Sequence, residues 1–105
     1  MKKISEMDFA NQVIQTDGLQ VVHFYNPYSN HSNETDSMLD ELYKTNADVQ
    51  FFKINLLHCE ILCDRYGISL PSVLIFGNGV LQDLIQDVVT KEYIEHKLSA
   101  LLLNN

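Results

Sequence analysis

The sequence predicts an α/β domain built on a mixed sheet, with its elements in the order βαβαβαββα. Three observations carry that reading. Residues 19–25 and 49–56 are rich in β-branched and aromatic side chains and apolar almost throughout, as strands covered on both faces are. The segment between them has helical spacing, so the two strands should pair in parallel through a crossover. Gly77-Asn78-Gly79, set between the strand-like runs 72–76 and 80–85, is a tight-turn signal for an antiparallel hairpin.

The elements follow in order. Residues 2–4 form a short edge strand. Ser5, with Asp8 three residues on, can cap a helix whose apolar stripe is Phe9, Val13 and Ile14, and Asp17-Gly18 ends it. After the central strand, residues 34–45 place Met38, Leu39 and Leu42 on one face. Glu34, Asp36, Asp40 and Glu41 lie around them, read as a solvated face with acid well placed near the helix N-terminus. Residues 58–66 are helical and stop at Gly67, suited to the left-handed position after a helix. Thr90 caps a last helix with Ile94, Leu98, Leu101 and Leu102 on one side.

Composition limits the function classes. A chain of 105 residues with 46% apolar content is read as one domain over 1–105, with enough core to need no disulfide staples. Fourteen Asp and Glu against seven Lys and Arg give a formal charge of −7, which repels phosphate backbones and anionic lipid. Neither nucleic acid nor membrane is expected as a partner. The first residues lack the apolar core of a signal peptide, and no stretch has the length of a membrane span. Only two cysteines occur, which fits a reducing compartment. A cytoplasmic location is therefore expected, and the two sequons, Asn30-His31-Ser32 and Asn33-Glu34-Thr35, are read as accidental.

The most informative stretch is Tyr25-Asn26-Pro27-Tyr28-Ser29-Asn30-His31-Ser32, directly after the strand. Together with Leu39-Asp40-Glu41-Leu42, Arg65-Tyr66-Gly67-Ile68, Leu70-Pro71-Ser72 and Phe76-Gly77-Asn78-Gly79, it resembles the thioredoxin family over nearly the whole chain. The resemblance implies a thioredoxin fold, a three-layer α/β/α sandwich. It implies that Ser29 and Ser32 stand where the family carries its two cysteines, and His23 where it buries an aspartate. It also implies a cis-proline at Pro71, although the approach from Gly67 is one residue shorter than usual in the family. Val22-His23-Phe24-Tyr25 and Ile61-Leu62-Cys63-Asp64-Arg65 are more similar to the phosducin-like and thioredoxin-domain-containing branch, whose members act as binding proteins and co-chaperones. An N-terminal helical extension usual in that branch is not seen here.

Oxygen in place of sulfur decides the chemistry. A thiolate forms and exchanges disulfides near neutral pH, whereas an alkyl hydroxyl stays protonated and forms none. Ser29, Asn30, His31 and Ser32 are thus a degenerate motif, with the serines expected to cap the following helix. A nucleophilic pairing of His31 with a neighbouring serine fails because residues one or two apart on a helical turn do not face each other. The surviving candidate is a groove lined by Pro27, Tyr28, Leu70 and Pro71 that accepts a protein or extended peptide by strand addition. No cofactor is expected. The alternatives are a thiol-disulfide oxidoreductase whose cysteines at 29 and 32 were exchanged for serine, and a purely structural subunit.

Cys59 and Cys63 form the remaining pair. In a regular helix, Cβ atoms four residues apart are about 5–6 Å from each other, whereas a disulfide wants roughly 3.8 Å, so a bridge would require unwinding. Cys63 is expected to face the core. Cys59, in the first helical turn, is the candidate exposed and reactive thiol. With His58 adjacent to Cys59 and diverging from it, no metal site is expected, and His96 is read as an exposed residue without a task.

Overall fold

The computed structural model describes residues 1–86 and 89–103, so residues 87, 88, 104 and 105 of the expected span lie outside the described residues. Its five strands are β1 (Lys2–Lys3), β2 (Leu19–Tyr25), β3 (Val49–Asn55), β4 (Ser72–Gly77) and β5 (Val80–Gln86), in the sheet order β1-β3-β2-β4-β5. β1, β3 and β2 run parallel, whereas β4 is antiparallel to both β2 and β5. Helices α1 (Asn30–Thr45), α2 (Glu60–Tyr66) and α3 (Lys91–Leu103) complete the predicted order, and the fold is that of thioredoxin.

Strand alternation divides the core between the two faces of this sheet. Val22, Phe24, Phe52, Ile54, Leu74 and Phe76 point one way, against Phe9, Val13, Cys59 and Leu62. Leu19, Val21, Val49, Phe51, Val73 and Ile75 point the other way, against Leu39 and Leu42 of α1 and Ile94 and Leu98 of α3. Two layers of helix therefore cover one layer of sheet. β2 is buried along almost its whole length because it lies at the centre, paired with β3 on one side and β4 on the other.

The first helical segment departs from expectation. Instead of one regular helix, a 3-10 turn at Glu6–Asp8 runs into a wide π turn at Ala10–Ile14. Asp8 Oδ2 accepts from both the N–H and the Oγ–H of Ser5, at 3.2 and 3.0 Å, as the Ser-x-x-Asp pattern promised. What overrides regular winding is the anchoring of Phe9. Its ring is fully buried and stands edge-on or tilted to three others: Phe76 at 5.5 Å, Tyr66 at 6.0 Å and Phe24 at 6.3 Å between centroids.

The end of this segment receives the β4–β5 hairpin. Asn78 has φ of 51° and Gly79 of 80°, the two positive values a tight hairpin turn of this hand requires. Asn78 donates its N–H to the Gly18 carbonyl at 3.0 Å and accepts from Gly18 N–H through Oδ1 at 2.8 Å. Gly67 occupies the expected left-handed position after α2, with φ of 68°. Thr90 Oγ1 accepts from Tyr93 N–H at 3.2 Å and so caps α3. On that helix Ile94 and Leu98 are buried and Leu101 packs against the same cluster, whereas Leu102, expected on the same side, is exposed.

Candidate functional site

The parallel register sets Tyr25 opposite Asn55, and the antiparallel register sets Phe24 opposite Ser72. The chain therefore leaves β2 and enters β4 at the same end of the sheet. This brings the loop Asn26-Pro27-Tyr28-Ser29 and the approach Leu70-Pro71 to neighbouring positions.

Asn26, which sequence reasoning passed over, organises the loop. Its side-chain Oδ1 accepts from Tyr28 N–H at 2.9 Å and its carbonyl from Ser29 N–H at 3.1 Å, an Asx-type turn. Its own N–H donates to Ser32 Oγ at 2.9 Å. Ser29 is the N-cap of α1, its Oγ accepting from Ser32 N–H at 3.2 Å, so the helix begins four residues earlier than its apolar pattern indicated. The tightly tied backbone pushes Tyr28 outward to 86% exposure, beside exposed Pro27. Asn30 and His31 are also exposed. Among the described residues the His31 ring approaches only Glu34, at 4.0 Å, and no bond joins the ring to either serine.

Ser32 itself is 1% exposed and belongs to a buried polar chain. His23, also 1% exposed, lies on the face of β2 that meets α1. Its Nδ1 is 3.1 Å from Asp36 Oδ1, and its Nε2 is 3.4 Å from Ser32 Oγ. Lys53 of β3 donates from Nζ to Asp36 Oδ2 at 3.0 Å and lies 5.3 Å from the centroid of the Tyr25 ring. Burial lowers the His23 pKa below the usual 6.5, against the upward pull of Asp36, so the ring is neutral near pH 7. An ionised carboxylate only accepts, which places the ring proton on Nδ1 and leaves Nε2 to accept from the Ser32 hydroxyl. The hydrogen bond to Asp36 raises the Lys53 pKa and keeps that ammonium charged.

Ser32, His23 and Asp36 thus have the connectivity of a serine–histidine–carboxylate relay. Burial removes the corresponding reaction, because an acyl carbon cannot reach Ser32 Oγ. What the chain of bonds does is tie the loop and the first turn of α1 to the sheet. Asp36 and Lys53 were not singled out from sequence, and Asp36 was assigned to the solvated face. The available signal was His23 in an apolar strand, which needs a buried partner, together with the i, i+4 spacing of Ser32 and Asp36.

A pH dependence follows from this burial. The unfolded chain protonates His23 near 6.5, whereas the folded chain holds it neutral to lower pH. Between those two values the unfolded state binds more protons, so acidification favours unfolding, and stability is regained as pH rises through the window. Urea denaturation at about pH 8 and about pH 5 should show a loss on acidification that is smaller in His23→Gln. Equal losses in the two proteins would remove His23 as the cause.

Two expectations are corrected. The Leu70–Pro71 peptide is trans, as are all those among the described residues. An X–Pro bond favours trans by about 0.5–1 kcal/mol unless tertiary contacts override it, and the short approach from Gly67 fits this ordinary form. Ser72 Oγ–H donates to the Leu70 carbonyl at 2.8 Å, leaving the Leu70 side chain half exposed and Pro71 partly covered. The second correction concerns Cys59, which is 0% exposed, while Cys63 is the partly exposed thiol. The helix starts at Glu60, one residue after Cys59, whose backbone is not helical (φ −138°, ψ 55°) and turns its sulfur into the Phe24–Ile54–Leu62 cluster. Desolvation first, and then Cys63, push the Cys59 thiol up to about 12, so it is not a reactive thiolate. His58 and His96 are exposed.

A five-stranded mixed sheet between helical layers, with a loop-to-helix transition after the central strand, defines a thioredoxin-like protein. The thioredoxin family model matches residues 1–100, and the chain belongs to that family. It is 34% identical over 84 residues to phosducin-like protein 3 of Dictyostelium discoideum, covering 79% of this chain and 45% of that protein. It is 29% identical over 102 residues to thioredoxin M4, chloroplastic, of Arabidopsis thaliana, covering 95% of this chain and 53% of the relative. Human thioredoxin domain-containing protein 9 is 28% identical over 105 residues, covering 91% of this chain and 46% of the relative. The chain spans about half the length of these relatives. Among the described residues, no helix is long and apolar enough to cross a membrane.

Proposed function

We propose that this protein is a thioredoxin-fold binding module of the cytoplasm that has no dithiol chemistry at positions 29–32 and holds a protein or extended peptide in a co-chaperone-like role. The observation that carries this reading is Tyr28, 86% exposed on a loop that Asn26 and Ser32 hold by hydrogen bonds. An aromatic ring carried on an already ordered backbone offers contact area at reduced entropic cost. Half-exposed Leu70, with Pro71 and Pro27, extends the apolar surface at the same sheet end. The likeness to a phosducin-like protein supports a binding role, and the acidic charge of the chain argues against nucleic acid.

The test compares partner capture from cytosol by wild type, Tyr28→Ala and Leu70→Ala, with Ile61→Ala on the opposite helical layer as control. The two loop variants should capture several-fold less of the same partner while melting like wild type. Capture unaffected by either would overturn the reading. The likeness to thioredoxin M4 supports the alternative of an oxidoreductase with cysteines replaced at 29 and 32. Cysteine codons at those two positions in the gene would establish that alternative, and serine codons would remove it.

A further inference from the structure

The sulfurs of Cys59 and Cys63 are 3.5 Å apart. Cys59 stands at the N-cap of α2 with a non-helical backbone (φ −138°, ψ 55°), one turn before Cys63, and the two side chains meet there. The two thiols also lie on the sheet face opposite the Ser32–His23–Asp36 chain, since Phe24 and Ile54 pack with Cys59 while His23 points to α1. From this juxtaposition we propose that Cys59 and Cys63 are a site of reversible intramolecular disulfide formation, oxidised by a small-molecule disulfide of the glutathione type and independent of residues 29–32.

Exposure fixes the order of events. Cys63 is partly open to solvent, its Sγ otherwise 3.6 Å from the Leu56 carbonyl, whereas Cys59 is closed off. Cys63, as thiolate, attacks one sulfur of oxidised glutathione. The glutathione S–S bond breaks, and one glutathione leaves as thiolate and takes up a proton. Cys59 then attacks Cys63 Sγ and expels the second glutathione as thiolate, which takes up the proton that Cys59 gives up. Two protein thiols are oxidised by two electrons, and one glutathione disulfide is reduced to two thiols. The 3.5 Å contact makes this second step intramolecular, which offsets the low thiolate population of the buried Cys59. Cys59 is the N-cap of α2, its carbonyl accepting from Cys63 N–H at 2.9 Å, so the sulfurs close their remaining separation by side-chain rotation with local movement of that first turn.

The experiment treats the folded protein with oxidised glutathione and reads intact mass, followed by iodoacetamide labelling and peptide mapping. Wild type should lose two hydrogens, retain no glutathione, stay monomeric and lose labelling at both cysteines. Cys59→Ser should retain one glutathionyl group on Cys63, and Cys63→Ser should stay unmodified under the same conditions. Wild type that retains glutathione, keeps both thiols free, or links two chains would overturn the proposal, as would Cys63→Ser reacting as fast as wild type. The wild-type mass change decides the matter even if a variant fails to fold. The mass change reads Cys59 and Cys63 and partner capture reads Tyr28 and Leu70, so failure of the bridge leaves the Tyr28 reading untouched.

Discussion

Replacing Phe9 by alanine should cost about 3–5 kcal/mol of stability, a large share of what a domain of this size possesses. The ring is fully buried and is the hub of an aromatic cluster that includes Phe24, Tyr66 and Phe76. Truncation removes its apolar transfer energy, leaves a cavity, and ends three ring contacts at once. It also releases the largest of the side chains, with Ile4 and Val13, that hold the irregular segment between β1 and β2 against the sheet. The loss should appear as a fall in melting temperature on the order of 15 °C, with a much smaller fall in Phe9→Leu, which refills most of the volume. A cost below about 1 kcal/mol for Phe9→Ala would mean that this segment is held by something other than aromatic packing.

Gly79→Ala should destabilise by about 2–4 kcal/mol, although it adds only one methyl group. Two effects act together. Alanine at a φ of 80° meets the left-handed penalty of roughly 1–2 kcal/mol. A Cβ there would also lie 2.2 Å from the Ile14 carbonyl oxygen, so the hairpin turn and the end of the π turn would have to separate. Gly67→Ala isolates the first effect. Its φ is 68°, with nothing within 4 Å of the added carbon, and it should cost only the backbone share. Chemical denaturation of the two variants side by side measures the difference, and equal costs would show that the approach to Ile14 relaxes freely.

Much of the fold could be read from residue order because its signals are local. The apolar run of β2, the Gly77-Asn78-Gly79 turn, the Thr90 cap and the left-handed Gly67 each depend on neighbours within a few positions. The site was legible in part. Ser29 caps α1 as a serine before a helix should, and Tyr28 is exposed. Ser32 was expected to cap as well, but its hydroxyl is turned inward to Asn26 and His23. Asp36 has the same sequence signature as the solvated acids Glu34 and Glu41, and only the arrival of His23 and Lys53 from two adjacent strands distinguishes it.

Sequence by itself determined the order of elements, the absence of sulfur between residues 29 and 32, and the acidic charge of the chain. Each is a property of residue types or of spacing along one segment. Tertiary structure alone decided which cysteine is closed to solvent, which acid serves the buried histidine, and that Pro71 keeps a trans bond. The physical reason is that burial and pairing are set by residues far apart in the chain. A one-residue change in where α2 begins, or the register of β2 against β3, decides them without altering any local pattern.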